Sequence, residues 1–385
     1  MAEVLTGVNG DIIRWARELY NMTPEDSAQA IGVNVDLYND WENGENFPTY
    51  AKLRKISAVF HRPSALFFFP EPPNIPSIKG DLRTLPDSVV NRFSKNVIVQ
   101  FEKAQVYQMS LRELYGERYS IFLHRDMFPK DEAELCEYIR NELQFPINAQ
   151  KSRKSTKVVF EIFREKFYDL GIYVFKEAFK DNNISGLCID DDQFPVILIN
   201  NSMSFARQIF TLFHELYHLL SKTSGAEIIR DDYYADLTED QSVIERSCDS
   251  FANAFLVPIE DFRLELKKKE LDEERIEELS KLYSVSKEAI MYKLWKLNII
   301  TSADYTELKE FFYGDALRSP QKKKSGKSSG NYYSTKLSYL GQRYTGEVFN
   351  QYFSGKISGV RAGEMLQSKV DHLPRLEAAF FRGVG

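Results

Sequence analysis

Histidine and cysteine are scarce in this chain, with five and three among 385 residues. The cysteines, Cys136, Cys188 and Cys248, show no paired spacing. That argues against a disulfide framework and fits a reducing compartment, so a cytoplasmic location is expected. Long apolar runs are missing too. None approaches the roughly 18 residues of a spanning helix, and the opening MAEVLTGVNGD lacks the apolar core of a signal peptide. No membrane partner is expected. Nor is there a surplus of positive charge: lysine and arginine number 50 against 56 acids, a net charge of −6. No chain-wide basic field exists to draw it to nucleic acid.

What is present is ordinary globular material, 43% apolar and 28% charged, in a length that suits two or three domains. Residues 10–70 read as short helices joined by tight turns. Thr23 caps one, with Pro24 at its first position and Gly32 at its end; Asn34 caps the next, which Gly44 stops. The proline-rich FFFPEPPNIPSIKG marks a boundary, giving a first domain over 1–75 and a helical connecting region over 76–170. IYVFKEA, ISGLCID and PVILIN then read as strands. Two apolar helices follow, SFARQIFTLFHELYHLLSK and VIERSCDSFANAFLVP, the second ended by Pro258. IEDFRLELKKKELDEERIEELSKLY reads as one charged helix, and SVSKEAIMYKLWKLNII as another with Ser284 or Ser286 as its cap. The second domain is expected over 171–318. A flexible Ser/Gly/Lys linker over 319–334 and a helical module over 335–385 complete the chain.

Two of the five histidines, His214 and His218, lie four apart in FHELYHLL. On a helix their rings leave one face a turn apart, where both can grip one zinc ion. Glu215 points about a quarter-turn away, so it reaches a water on the metal rather than the metal itself. A catalytic zinc takes three protein ligands. His61, His124 and His372 lie on no nearby helix, so the third ligand is sought among Glu239, Asp240, Glu245 and Asp249. Glu239 and Asp240 fall in the polar run TEDQS. Glu245 opens a helix whose Phe251, Ala252 and Phe255 must pack against something, and the histidine helix is the natural partner. Glu245 is therefore the expected ligand, and Asp249, a turn further on, is placed to accept the free N–H of a ligand histidine.

RQIFTLFHELYHLL with IERSCDSFANAFLVP resembles the ImmA/IrrE metallopeptidases over roughly residues 150–300. Arg207, Phe210, Thr211, His214, Glu215, His218, Glu245, Phe251, Ala252 and Pro258 match that family's two motifs. Cys248 stands where alanine is usual. Tyr217 replaces a small residue, and its bulk is expected to narrow the cleft. The resemblance implies a gluzincin-like fold, Zn2+ as cofactor, and Glu215 as the catalytic base of a peptidase acting on a regulatory protein. PVILIN is a candidate edge strand for holding an extended substrate. Tyr217, Tyr233 and Tyr234 are near enough in sequence to be considered for the oxyanion, without a way to choose among them.

RWARELYNMTPEDSAQAIGVNVDLYNDWENGENFPT resembles an Xre-type helix-turn-helix, with Ala28, Gly32, Val33, Trp41, Glu42, Gly44 and Pro48 at structural positions. Its outward positions would be Val35, Asp36, Asn39 and Asp40, so Asn39, with Asn34, is the candidate nucleic-acid contact. Residues 1–75 hold six cations against ten acids, a balance of −4. Such a surface is poorly suited to phosphates, and a protein-docking or dimerising module is the alternative.

The fold expected is α+β and mostly helical: a helix-turn-helix domain, then a zincin-like metallopeptidase domain with a small sheet, then a helical tail. The expected function is a zinc-dependent regulatory peptidase in a toxin–antitoxin, mobile-element or stress-response setting, its partner a protein substrate or a cognate toxin or repressor. The alternative is an antitoxin-like transcriptional regulator or binding protein with a structural or vestigial zinc site.

Overall fold

A computed structural model describes residues 3–73, 90–91, 93–117, 119–228, 237–318 and 332–383. The chain forms two compact units divided after Glu102. In the first, α1 (Gly10–Glu18), α2 (Pro24–Ile31), α3 (Val35–Asn43) and α4 (Tyr50–Val59) enclose Ile12, Ile13, Ala16, Tyr38, Trp41 and Ile56. Thr23 and Asp26 form a capping box at α2, and Gly32 ends it at φ 75°. Asn34 caps α3 by accepting from the Leu37 N–H at 2.9 Å. Glu42 is buried and grips Arg17 through two hydrogen bonds, 2.7 and 3.1 Å. Its role is thus to tie α3 to α1.

The dividing point falls within α5 (Lys95–Tyr115). The second unit continues through α6 (Glu132–Glu142), α7 (Ile147–Lys151) and α8 (Thr156–Asp169) to a sheet of β1 (Tyr173–Glu177), β2 (Ile184–Ile189), β3 (Val196–Asn200) and, beyond helix α9 (Phe205–Leu220), β4 (Gly225–Ile228). The strand order is β1-β3-β2-β4, with β1 parallel to β3 and the other pairs antiparallel. PVILIN is therefore an interior strand, paired on both sides, and not the edge expected. The edges are β1 and β4.

Strands β1, β2 and β3 are buried throughout, because both faces of the sheet are covered. Val174, Cys188, Ile197 and Ile199 join Leu212, Phe213 and Leu216 of α9 in the main core. On the other face Phe175 stacks on Tyr107 at 3.9 Å and meets Tyr344 edge-on at 5.0 Å. Tyr344 belongs to the C-terminal helices, α15 (Tyr332–Leu340), α16 (Gln342–Phe353), α17 (Gly359–Met365) and α18 (Leu373–Gly383), which follow the helices described next.

Helix α10 (Glu239–Leu256) lies on α9, with Phe255 stacked on Phe213 at 4.1 Å. It starts nearly two turns before Glu245, at the capping box of Thr238 and Gln241, so Glu245 sits inside it. The charged stretch that follows is two helices rather than one, α11 (Ile259–Leu266) and α12 (Glu273–Tyr283), the second opened by the Asp272 cap. Ser286 caps α13 (Lys287–Lys296), whereas Ser284 ends α12 in the left-handed conformation at φ 59°. Helix α14 (Ser302–Arg318) comes next. Of the expected linker, 319–331 lie outside the described residues and 332–334 open α15. Among the described residues no helix is long and apolar enough to cross a membrane.

Candidate metal centre

Helix α9 turns Ile209, Leu212, Phe213, Leu216 and Leu219 into the core, and this rotation sets His214, Glu215 and His218 under strand β4 and against α10. All three polar side chains are buried. Glu245 of α10 faces both histidines: its carboxylate oxygens lie 3.3 Å from His214 Nε2 and 3.4 Å from His218 Nε2. Neither Nε2 has a hydrogen-bond partner, although both are buried. Unpartnered nitrogens in such a place call for something to bind, and two imidazoles beside a carboxylate are a donor set that suits zinc.

The opposite ring nitrogens are occupied. His214 Nδ1 is 3.0 Å from Asp249 Oδ1, so the carboxylate fixes an N–H at Nδ1. His218 Nδ1 is 3.0 Å from Thr223 Oγ1, and that hydroxyl gives its own proton to the His218 carbonyl at 2.9 Å. Thr223 can then only accept from the ring. In its neutral form each histidine is in this way left with the lone pair on Nε2.

Glu215 is held from one side. Its Oε1 accepts the Glu227 backbone N–H at 3.0 Å, while its buried Oε2 has no partner. Glu227 itself is anchored by Arg207 at 2.5 Å and by the Ser185 hydroxyl, at a bulge in the β2–β4 pairing. Strand β4 must run close to α9 for this. A Cβ on Gly225 would come within 2.8 Å of the His218 ring, so only glycine fits there.

Burial pushes the Glu215 carboxyl up to about 7, with His214 pulling the other way. Burial likewise drives His218 down to about 4. At His214 burial opposes protonation, but Glu227, Asp249 and Glu245 outweigh it and hold the imidazole well above its ordinary value. Burial would raise Glu245, yet His218 and His214 bring it below the usual carboxylate range. The centre therefore attracts positive charge.

Two further sets of donors overlap this one. Ligand atoms of His214, His218 and Cys248 lie within 4.8 Å of one another, as do those of His214, Glu227 and Asp249. The structure brings His214, Glu215, His218, Glu245 and Asp249 close together. Glu239 and Asp240 are in the exposed first turn of α10. Tyr217 packs near Phe251, ring centroids 5.4 Å apart, as part of the core instead of the cleft. Tyr233 and Tyr234 lie outside the described residues. In the first unit Asn34 uses its oxygen on the α3 cap, and Asn39 is half-buried. Thr223 and Glu227 were not found from sequence. Their signal is faint: a polar TSGAE after the histidine helix, with a glycine where a strand must pass close to a ring.

Residues 168–294 match the model of the IrrE N-terminal-like domain of the M78 peptidases, and residues 13–67 match a helix-turn-helix model. Among solved structures, a Mycobacterium tuberculosis transcriptional regulator is 14% identical, with a TM-score of 0.29. That match covers 49% of this chain and spans 52%, about half, of the regulator's length. No curated protein matches.

Proposed function

We propose that this chain, which carries a helix-turn-helix domain and an IrrE N-terminal-like domain of the M78 peptidases, is a zinc-dependent peptidase that cleaves a specific regulatory protein. The peptidase domain is proposed to occupy residues 171–318, with a cytoplasmic setting of the toxin–antitoxin, mobile-element or stress-response kind. The observation that carries the reading is the pair of buried, unpartnered Nε2 atoms facing Glu245, with an unpartnered Glu215 oxygen beside them.

His214, His218 and Glu245 would hold the ion. Glu245 is preferred to Cys248 as third ligand because its carboxylate oxygens face both Nε2 atoms, at 3.3 and 3.4 Å. A bound zinc supplies Lewis-acid polarisation of a carbonyl and an acidified water. Glu215 accepts a proton at its free Oε2 and returns it to the leaving amine, while the Glu227 N–H keeps the carboxylate in register. Asp249 and Thr223 hold the two imidazoles in the binding tautomer.

The helix-turn-helix domain supports a second reading, a transcriptional regulator or partner-binding protein in which the metal is structural. Elemental analysis and two substitutions separate the two. Native protein is expected to carry about one zinc per chain, and Glu245→Ala to lose it. Glu215→Gln is expected to keep the metal and abolish cleavage of the target. Zinc-free protein after zinc has been supplied would sink the peptidase reading. A Glu215→Gln chain that works normally would leave the regulator.

A further inference from the structure

The cavity over the metal centre, about 680 Å3, extends past the zinc-binding side chains. Its lining includes His214 and Glu245, and also Tyr292 and Trp295 of α13 and Tyr305 of α14. The volume falls in the range of ligand sites and exceeds one side chain, so a segment of peptide has room there. The three rings form a continuous wall. Tyr292 and Trp295 have centroids 5.7 Å apart, and Trp295 and Tyr305 5.9 Å. Trp295 donates its indole N–H to Ser302 Oγ at 3.0 Å. Its single polar donor is thus used within the protein, which fixes the ring and leaves only carbon surface for an occupant.

Two of the charges around the wall are paired within the protein. Arg207 is paired with Glu227 at 2.5 Å, and Glu288 with Lys309 at 3.1 Å. Lys296 Nζ sits 5.4 Å from the Tyr292 centroid and 5.1 Å from that of Trp295. Its cation repels a second one, which disfavours a basic side chain there. Apolar area is left at the rim, where Tyr292 is 37% exposed.

We propose that Tyr292, Trp295 and Tyr305 form a specificity subsite that receives a large apolar side chain, aromatic or branched aliphatic, from a residue close to the bond that is cut. The proposal rests on the peptidase reading and names the substrate class for it. Trp295 is the determinant at its centre.

The test uses the full chain as Glu215→Gln, zinc-loaded and labelled with fluorotryptophan. Its three tryptophans, Trp15, Trp41 and Trp295, give a reporter at the wall and two controls in the first unit. Blocked alanine pentapeptides with Phe, Leu, Lys or Glu at the centre are titrated by fluorine NMR. The Phe and Leu peptides are expected to shift the Trp295 signal, and Tyr292→Ala to weaken them by about tenfold. The Lys and Glu peptides should leave that signal in place. Equal shifts from the charged peptides, or none at Trp295 from any, would overturn the subsite. Cleavage of the same peptides by the zinc-loaded chain with Glu215 restored separates the two claims. Cutting without preference for the Phe and Leu peptides removes the subsite and keeps the peptidase. Selective binding with no cutting of any of these peptides removes the peptidase and keeps the subsite.

Discussion

Which nitrogen of His218 faces the candidate metal centre is decided by a hydroxyl. Because Thr223 Oγ1 gives its proton to the His218 carbonyl, it can only accept from the ring. Thr223→Val removes that acceptor at nearly constant volume, and Asp249→Asn weakens its counterpart at His214. Each is expected to reduce zinc affinity by about 10- to 100-fold, measured against a competing chelator, with the helical circular dichroism unchanged. Glu215 has a signature in pH. Its folded carboxyl sits near 7, above the ordinary 4.5, so the fold prefers the neutral form. That contribution to stability is complete below about 4.5 and is lost as pH rises through about 7. Glutamine stays neutral and still offers an oxygen to the Glu227 N–H. Metal-free Glu215→Gln is therefore expected to melt with the metal-free parent at pH near 4.5 and several degrees above it at pH 8. Equal melting at both would show that the Glu215 carboxyl is not destabilised in the fold. At this scale the sequence was informative where spacing carries geometry. His214 and His218 share a face by helical period alone. Thr223 and Glu227 reach the centre through a strand that crosses it, and no period in the sequence encodes a crossing.

Elements were legible according to how strongly their pattern repeats. The caps Thr23, Asn34 and Ser286 are read directly, because a short polar side chain before an apolar helix has one main use. Ser286→Ala is accordingly expected to cost about 1 kcal/mol in chemical denaturation. Ser284, two residues earlier, has the same chemistry but adopts φ 59° to end α12, a backbone choice its side chain does not announce. The three strands with β-branched runs were visible, but their order was not. Burial on both faces removes the alternation that would tell an interior strand from an edge. The four residues of β4 are too few to show any pattern. Gly225→Ala tests whether this strand matters. With a Cβ 2.8 Å from the His218 ring, strand or ring must shift, and zinc binding is expected to fall well before global stability does, as read by metal titration beside thermal melting.

Across the whole molecule, composition said what the chain is not and motifs said what it carries. Both matched domains were legible as short motifs whose spacing is fixed by chemistry. What fills 76–170 was readable only as helical, since amphipathic helices of many folds look alike. The charge balance has its own consequence. With a net charge of −6 overall and −4 over residues 1–75, few cations are on hand to displace counterions from a duplex. Random duplex DNA is expected to bind the full chain no more tightly than about 10⁻⁵ M at 0.15 M salt, measured by fluorescence anisotropy. Tight binding with a steep salt slope would mean that cations elsewhere in the chain contact the phosphates.

Among the described residues strand β4 pairs with β2 on one side only, and the segment from Thr223 to Glu227 serves His218 through a hydroxyl, gives way to its ring at Gly225, and seats Glu215 through an amide. Edge strands exchange their amide protons first, by openings that cost far less than unfolding. A brief fraying of this one ribbon would undo three supports together while the hydrophobic interior stays whole. The working state is then a fraction of the folded population, and that fraction is set at the border of the sheet. Hydrogen exchange at the Glu227 amide, slowed when zinc is added, would report it directly.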